Sequence, residues 1–175
     1  SDCRLMTKLL RDLTDYSMSD QLTKQRSDLC NLLRRAYLSC LPLTEGTNKT
    51  LTYTSRVSCA YMPLDSPKMM EALLNLIVNA LDAVSDNGSV QIILTKSNEQ
   101  FVVSIIDDGC GIAPKQLLTI FHPFTTTKPD GTGLGLPVAN RIIEGHGGHI
   151  RVSSAPNQGA TFTFLLPCSF SSDKK

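Results

Sequence analysis

Residues 107–135 form a long stretch that is rich in glycine, proline and threonine and lacks hydrophobic periodicity. The stretch follows a segment with the alternation of a β-strand and precedes a segment with helical spacing. A loop of this length inside a compact domain is unusual and is usually functional. We therefore expect a fold that presents one long loop, between a strand and a helix, to a ligand.

The pattern outside this loop predicts alternating blocks of helix and strand. Apolar residues at helical spacing predict helices over 3–17, 29–41, 67–84 and 137–144. Ser27 or Asp28 is the expected N-cap of the second helix, and Pro42 ends it. Alternating segments predict strands over 51–57, 90–95, 101–106, 149–153 and 160–166. This order fits an α+β fold, a two-layer α/β sandwich with helices on one face of a mixed β-sheet.

The composition is that of one ordinary globular domain. The chain has 175 residues, of which 41% are hydrophobic and 19% are charged. Its net charge of 17 − 16 = +1 gives no basic field, so we expect no nucleic acid partner. The six cysteines include no C-x-x-C pair, which indicates reduced thiols and a cytoplasmic location for this domain.

The helix predicted over 67–84 carries a polar stripe through an otherwise apolar sequence. Glu71, Asn75, Asn79 and Asp82 follow one another at i, i+4, i+8 and i+11, which places them on one face of the helix. Their amide and carboxylate oxygens suit a hydrated Mg²⁺ ion. A solvent-facing stripe on an amphipathic helix is the alternative interpretation.

A carboxylate and two glycines follow the strand predicted over 101–106. Asp107 can accept a hydrogen bond from an amine, and Gly109 and Gly111 allow the backbone to lie flat against a planar ligand. A D-x-G-x-G sequence is equally compatible with a simple turn. The motif therefore indicates a ligand only in combination with others.

A second glycine-rich motif, Gly131-Thr132-Gly133-Leu134-Gly135-Leu136, precedes the last predicted helix. Backbone N–H groups at a helix N-terminus can cradle phosphate, with help from the helix dipole. The motif lacks the Gly-Lys-Ser/Thr ending of a Walker A loop, and no strand directly precedes it as in a dinucleotide-binding fingerprint. Lys128, three residues upstream, is either a phosphate contact or a solvated loop lysine.

Taken in order along the chain, these motifs resemble those of the ATP-binding catalytic domain of sensor histidine kinases, in the GHKL group of ATPases and kinases. Asn75-x-x-x-Asn79-Ala80 is similar to the N box of that family, and Asp107-x-Gly109-x-Gly111 is similar to its G1 box. Phe121-x-Pro123-Phe124 is similar to the F box, and the motif over 131–136 to the G2 box. The resemblance makes the long loop an ATP lid.

The resemblance implies a role for each matching residue. Asp107 would accept a hydrogen bond from the adenine amino group, and Asn79 would coordinate Mg²⁺ beside Asn75. Lys128 would approach the terminal phosphate, and Phe124 would pack near the lid. Further ATP-binding residues implied by the match are Gly109, Gly111, Thr132, Gly133, Leu134, Gly135 and Leu136. The implied cofactors are ATP and Mg²⁺, and the implied catalytic residues are Asn75, Asn79 and Lys128.

One position favours a kinase over an ATPase. Hydrolytic members of the group carry a water-activating Glu where this chain has Asn75, and an amide is a poor general base. The phosphoryl group can then pass to a nucleophile other than water. None of His122, His146 and His149 is followed by Glu or Asp, as the usual phosphoacceptor is. We therefore expect the acceptor histidine to lie outside this chain.

A second departure concerns adenine binding. The family often has Gly-Thr before the last strand, where this chain has Gly159-Ala160 and then Thr161. Strand alternation would point Thr161 to the opposite face of the sheet. The adenine-binding role of the family's threonine is therefore not transferred to it.

The resemblance also implies how the chain is organised and what it works with. Residues 1–20 would be the remnant of a second dimerisation helix with its linker, 25–167 the catalytic domain and 168–175 a flexible tail. The implied partners are a histidine-containing dimerisation domain and a response regulator, whose aspartate receives the phosphate. The implied full-length protein is a homodimer that can be membrane-anchored.

Two other functions stay open at this point. An ATP-driven conformational machine of the gyrase type would use the same boxes, although Asn75 argues against it. A nucleotide-binding regulator without transfer activity, such as an anti-sigma-type partner-binding protein, would keep the first boxes. An upstream His-Glu or His-Asp on a helix would decide in favour of the kinase.

Overall fold

A mixed five-stranded sheet is the frame of the domain. The computed structural model describes residues 22–126, 128 and 131–168, so the helix predicted over 3–17 and the tail beyond residue 168 lie outside the described part. In spatial order the strands are β2 (Thr50–Ser55), β4 (Ser89–Ser97), β5 (Gln100–Asp107), β7 (Ala160–Pro167) and β6 (His149–Ser154). β2 runs parallel to β4, and the other neighbours are antiparallel. The expected mixed sheet is confirmed.

Four helices accompany the sheet in the described residues. They are α1 (Leu29–Cys40), α2 (Ser66–Ala83), the single turn α3 (Pro114–Leu117) and α4 (Gly135–Gly145), and a 3-10 turn at Leu41–Thr44 follows α1. Asp28 is the N-cap of α1, as one of the two predicted candidates, because its carboxylate accepts from the Cys30 N–H at 3.0 Å. None of the helices in 22–126, 128 and 131–168 combines the length and apolarity needed to cross a bilayer.

A short second sheet pairs β1 (Gln25–Asp28) with β3 (Tyr61–Leu64) in antiparallel register. The sequence pattern predicts neither strand, since each has only four residues and β3 contains Pro63. The pairing is fixed by its surroundings instead: Asp28 Oδ1 accepts from Ala60 N at 2.8 Å, and Leu29 N donates to Ala60 O at 3.0 Å. These contacts tie the start of α1 to β3.

The core lies between one face of the main sheet and the helices. Along β5, Phe101, Val103, Ile105 and Asp107 are buried, whereas the residues between them are only half-buried. Helix α2 packs between α1 and α4, and its buried residues are Met69, Ala72, Leu73, Leu76, Ile77, Ala80 and Leu81. Each large apolar side chain buried in this way contributes about 1.5–3 kcal/mol. This burial fixes the rotation of α2, and with it the direction of its polar stripe.

The region over 107–135 is not one unbroken loop, and the prediction was wrong in this respect. Pro114, with its fixed φ, starts the single turn α3, and hydrogen-bonded turns continue to Phe124. The Phe124 N–H donates to Gly133 O at 3.1 Å, which joins the two ends of the remaining lid segment. The loop between regular elements is therefore shorter than the sequence pattern indicates.

Candidate nucleotide-binding site

Asn75 and Glu71, two residues of the polar stripe of α2, have different neighbours. A Cβ built on Gly135 would lie 3.5 Å from Asn75 Oδ1, so the Asn75 amide lies against the first residue of α4. Glu71, one turn earlier, instead pairs with Lys68 at 3.1 Å between Nζ and Oε2. The structure thus brings the N box and the G2 box together and directs Glu71 elsewhere.

Lys128 lies over the next turn of the same stripe. Its Nζ is 3.2 Å from Asn79 Oδ1 and 2.8 Å from Asp82 Oδ2. Both members of the Lys128–Asp82 ion pair are partly exposed, at 41% and 53%. Asn79 and Lys128, which the sequence places far apart, therefore meet at one point. Asp82 belongs to the predicted stripe, but the resemblance gave it no role.

Asp107 ends β5 as a buried carboxylate with an ordered partner set. Its Oδ1 accepts from Gly109 N at 2.9 Å and from Ala160 N at 3.1 Å. Burial raises the pKa of Asp107, and these two backbone donors oppose that rise by stabilising the charged form. Both donors contact Oδ1, so Oδ2 is the oxygen that can accept from a ligand amine.

The strand register decides which neighbours Asp107 has. Asp107 is opposite Ala160 in the β5–β7 pair, and Ile106 is opposite Thr161. Thr161 therefore lies on the face away from Asp107, as strand alternation predicted. The Ala160 N–H is a site contact that sequence reasoning missed, because it depends on a pairing across 53 residues.

The glycines of this region allow segments of the chain to approach one another closely. Gly111 has φ +69°, and a Cβ there would overlap the Ala155 carbonyl. Gly159, at φ +68°, would in the same way overlap the carbonyl of Asp107. A Cβ on Gly109 would overlap the carbonyl of Ala83, the last residue of α2. The glycines thus pack the G1 box against α2 and the β6–β7 turn, while their approach to a nucleotide stays a prediction.

The F and G2 boxes meet in a strained contact. Phe124 has φ +65°, a conformation that a bulky residue rarely adopts, and the residue is 60% exposed. Gly133 at φ +68° supplies the close partner, since a Cβ there would lie 2.6 Å from the Phe124 carbonyl carbon. The Phe124 backbone therefore closes the base of the lid segment, and packing of its side chain near the lid stays a prediction.

Helix α4 begins where this contact ends. The Leu134 N–H donates to Thr132 Oγ1 at 3.4 Å, and the Leu134 side chain is buried. Gly135 and Leu136 follow as the first helical residues, and N–H groups of a first turn have no acceptor within their helix. These N–H groups lie beside Asn75, where an anion would gain from the helix dipole.

The family model described as "Histidine kinase-, DNA gyrase B-, and HSP90-like ATPase" matches residues 64–169, a segment that contains all of the site residues above. The chain belongs to this family. Its fold is therefore that of an ATP-binding domain.

Relatives and solved structures point to the histidine kinases within this family. The signal transduction histidine-protein kinase AtoS of Escherichia coli K12 is 36% identical over 165 residues, which cover 93% of this chain and 27% of AtoS. The catalytic domain of histidine kinase ThkA superposes with a TM-score of 0.76 at 29% identity, over 83% of this chain and 96% of that domain. ThkA is also known in complex with the response regulator protein TrrA.

A third similar protein was solved with a bound nucleotide. Full-length ShkA, solved in complex with AMPPNP, superposes with a TM-score of 0.83 at 25% identity, over 93% of this chain and 35% of ShkA. This chain spans about a quarter to a third of the length of the curated relatives it matches. It is accordingly an ATP-binding catalytic domain of the histidine kinase type.

Proposed function

We propose that this domain transfers the γ-phosphoryl group of Mg²⁺–ATP to a histidine outside this chain, on a histidine-containing dimerisation domain. Three successive turns of α2 carry the proposal. Asn75 contacts Gly135 of the G2 box, Asn79 accepts from Lys128 of the lid, and the Ala83 carbonyl accepts from Cys110 N of the G1 box at 3.1 Å. These three contacts along one helix support phosphate and base subsites that lie side by side.

The residues near the proposed phosphate subsite support transfer to histidine rather than to water. Asn75 occupies the position of the hydrolytic Glu, and an amide cannot take a proton from water. The carboxylate one turn earlier, Glu71, is engaged by Lys68. Phosphoryl transfer needs mainly positioning and charge stabilisation, which Lys128 and the α4 N-terminus supply.

The residues present fit a magnesium ion that arrives with the nucleotide. Within 22–126, 128 and 131–168, no group of three or more His, Cys, Asp or Glu side chains could hold a metal by itself. Asn79 Oδ1 does attract a cation, because the Lys128 ammonium lies 3.2 Å from it. Mg²⁺ is commonly held by one or two protein oxygens together with substrate phosphates, and it neutralises charge on the transferring group. Asn79 is the residue that would hold it here.

The partners follow from the same reaction. A phosphohistidine on the dimerisation domain would pass its phosphate to an aspartate of a response regulator, the class of partner seen with ThkA. The full-length protein would be a homodimer that brings each catalytic domain to a histidine. The cytoplasm is the expected location, since ATP is available there and Cys30, Cys40, Cys59, Cys110 and Cys168 are free thiols.

Incubation with radiolabelled ATP and Mg²⁺ tests the proposal. The chain alone should bind ATP, hydrolyse it very slowly and acquire no acid-labile label. His122 is exposed beside Pro123, His146 is buried, and His149 starts β6, so none is expected as an acceptor. A dimerisation helix with its histidine, taken from the same full-length protein, should become labelled when it is added. Stoichiometric base-stable, acid-labile label on this chain alone would contradict the proposal, and so would rapid hydrolysis without transfer.

A further inference from the structure

The position of Lys128 is set by two oxygens of α2. Its Nζ is 2.8 Å from Asp82 Oδ2, an ion-pair distance, and 3.2 Å from Asn79 Oδ1. Asn79 and Asp82 are three residues apart on the helix, so both oxygens point to the same side. The lysine therefore bridges the amide that the proposed function gives to the metal and a carboxylate that it leaves without a role.

Two cations cannot share this place. Asn79 Oδ1 is the oxygen that would hold Mg²⁺, and the Lys128 ammonium lies 3.2 Å from that same oxygen. Two like charges so close would repel each other strongly, so Lys128 has to leave Asn79 when metal and nucleotide enter. A terminal phosphate is the obvious new partner of the ammonium, and Asp82 is the partner it gives up.

We propose that Asp82 is a positioning residue that holds Lys128 over the metal-binding oxygen of Asn79 until a nucleotide takes the lysine over. In this arrangement Lys128 is the cation beside Asn79, with Asp82 as its counter-ion. Nucleotide binding then exchanges a carboxylate for a phosphate as the partner of Lys128. This inference rests on the proposed function, since it assumes that Lys128 faces the phosphates.

Because of this exchange, Asp82 should weaken nucleotide binding when no metal is present. An exposed ion pair is worth about 0.2–1 kcal/mol, and this energy is lost when Lys128 moves to the phosphate. Asp82→Asn should therefore tighten ATP binding in EDTA about 1.4- to fivefold. Asp82→Glu keeps the charge and should restore the affinity of the parent chain. Lys128→Met removes the phosphate contact and should weaken binding.

The double variant separates the exchange from simple charge repulsion. If Asp82 acts through Lys128, Asp82→Asn should raise ATP affinity less in the Lys128→Met background than in the parent chain. The increase that remains in that background is the effect of removing one negative charge. Asp86→Asn is the matched control, because it removes one negative charge from the turn after α2 and should change ATP affinity equally in both backgrounds. Calorimetric titration in EDTA gives all of these affinities.

A second readout needs no nucleotide. Mass spectrometry after brief acetylation should show slower modification of the Lys128 amine in the parent chain than in Asp82→Asn, since the ion pair shields that amine. Equal rates, or fully additive affinities in the double-variant cycle, would overturn the role of Asp82. Failure of the parent chain to bind ATP at all would instead count against the proposed function.

Discussion

The two ends of the candidate site are built differently. On the adenine side, Asp107 is buried and takes two backbone hydrogen bonds, and glycines at φ +68° and +69° pack its surroundings against backbone carbonyls. On the phosphate side, Asn79 and Asp82 are held to the lid through one partly exposed ammonium group. Under the proposed function, the first is a fixed receptor for a planar base. The second is an arrangement of charges that a ligand can replace.

This difference follows from what each subsite has to do. A base is recognised by hydrogen bonds of fixed geometry, and a receptor that is already in place costs no ordering free energy on binding. A phosphate tail with its metal brings its own charge, so a lysine that can exchange one partner for another suits that end of the site. Four changes would test the contrast, and they are taken from the largest expected effect to the smallest.

Gly159→Ala should have the largest effect, because it disturbs the close packing around Asp107. The new Cβ would overlap the Asp107 carbonyl at a positive φ, so we expect a loss of about 2–5 kcal/mol in the free energy of unfolding. Gly46→Ala is the control: its φ is +74°, but a Cβ there meets no atom within 4 Å. It should lose only the backbone term of about 1–2 kcal/mol. Urea unfolding measures both, and equal losses would contradict the close packing.

Asp107→Asn should come next, with a loss of about 1–3 kcal/mol in ATP binding. The Asn oxygen would still accept hydrogen bonds from the Gly109 and Ala160 N–H groups. The amide N–H₂ would then face the adenine amino group, and both of these groups are donors. Preference for ATP over GTP should fall as well, because guanine offers a carbonyl in that position.

Asp108→Asn is the matched control for this change. Its carboxylate accepts from Ser89 N and Ser89 Oγ, and these hydrogen bonds lower the pKa of Asp108. The side chain is thus engaged away from Asp107, and ATP affinity should stay as in the parent chain. Equal losses for the two variants in a nucleotide titration would remove Asp107 from the adenine site.

Asn79→Ala should weaken Mg²⁺–ATP binding by about tenfold or more, as expected when a metal contact is lost. ATP in EDTA should be affected much less, because the variant removes a metal ligand and leaves Lys128 and Asp82 in place. Val78→Ala, the adjacent and partly exposed position, should change neither affinity. Equal Mg²⁺–ATP affinity in Asn79→Ala and the parent chain would contradict the metal role.

The smallest effect concerns the far end of α4, which anchors the phosphate side. His146 is buried there; its Nε2 accepts from Asp65 N at 2.9 Å, and its Nδ1 lies 2.7 Å from Ile142 O. Burial lowers the pKa of His146. Below about pH 6.5 the His146 imidazole is therefore protonated in the unfolded chain but stays neutral in the folded chain. Stability should therefore fall as the pH drops below that value, by at most about 1.4 kcal/mol per pH unit.

Urea unfolding across this pH range should reveal that slope. His146→Gln, which cannot take up a proton, should remove the contribution at the cost of some stability at neutral pH. The same slope in the variant and the parent chain would assign the pH dependence to other groups.

Local patterns were sufficient for most of the elements. Apolar spacing predicted α1, α2 and α4 to within a few residues of their bounds, and alternation predicted β2 and β4–β7. Pro67 marks the start of α2 within its first turn. The failures were short or paired at long range: β1 and β3 have four residues each, and α3 is a single turn. β1 contains no apolar residue, Pro63 disfavours a strand at β3, and α3 spans barely one helical turn, so no hydrophobic pattern could identify them.

The sequence by itself determined the family motifs, their order and the chemical groups available to a nucleotide, because these depend on residue type and spacing alone. The tertiary structure decided which groups meet. The strand register placed the Ala160 N–H on Asp107, and the packing of α2 on the core turned Asn75 towards Gly135. It also placed Lys128 on Asp82, 46 residues away, and left Glu71 outside. Such contacts depend on how a whole face is buried, and no local pattern encodes that.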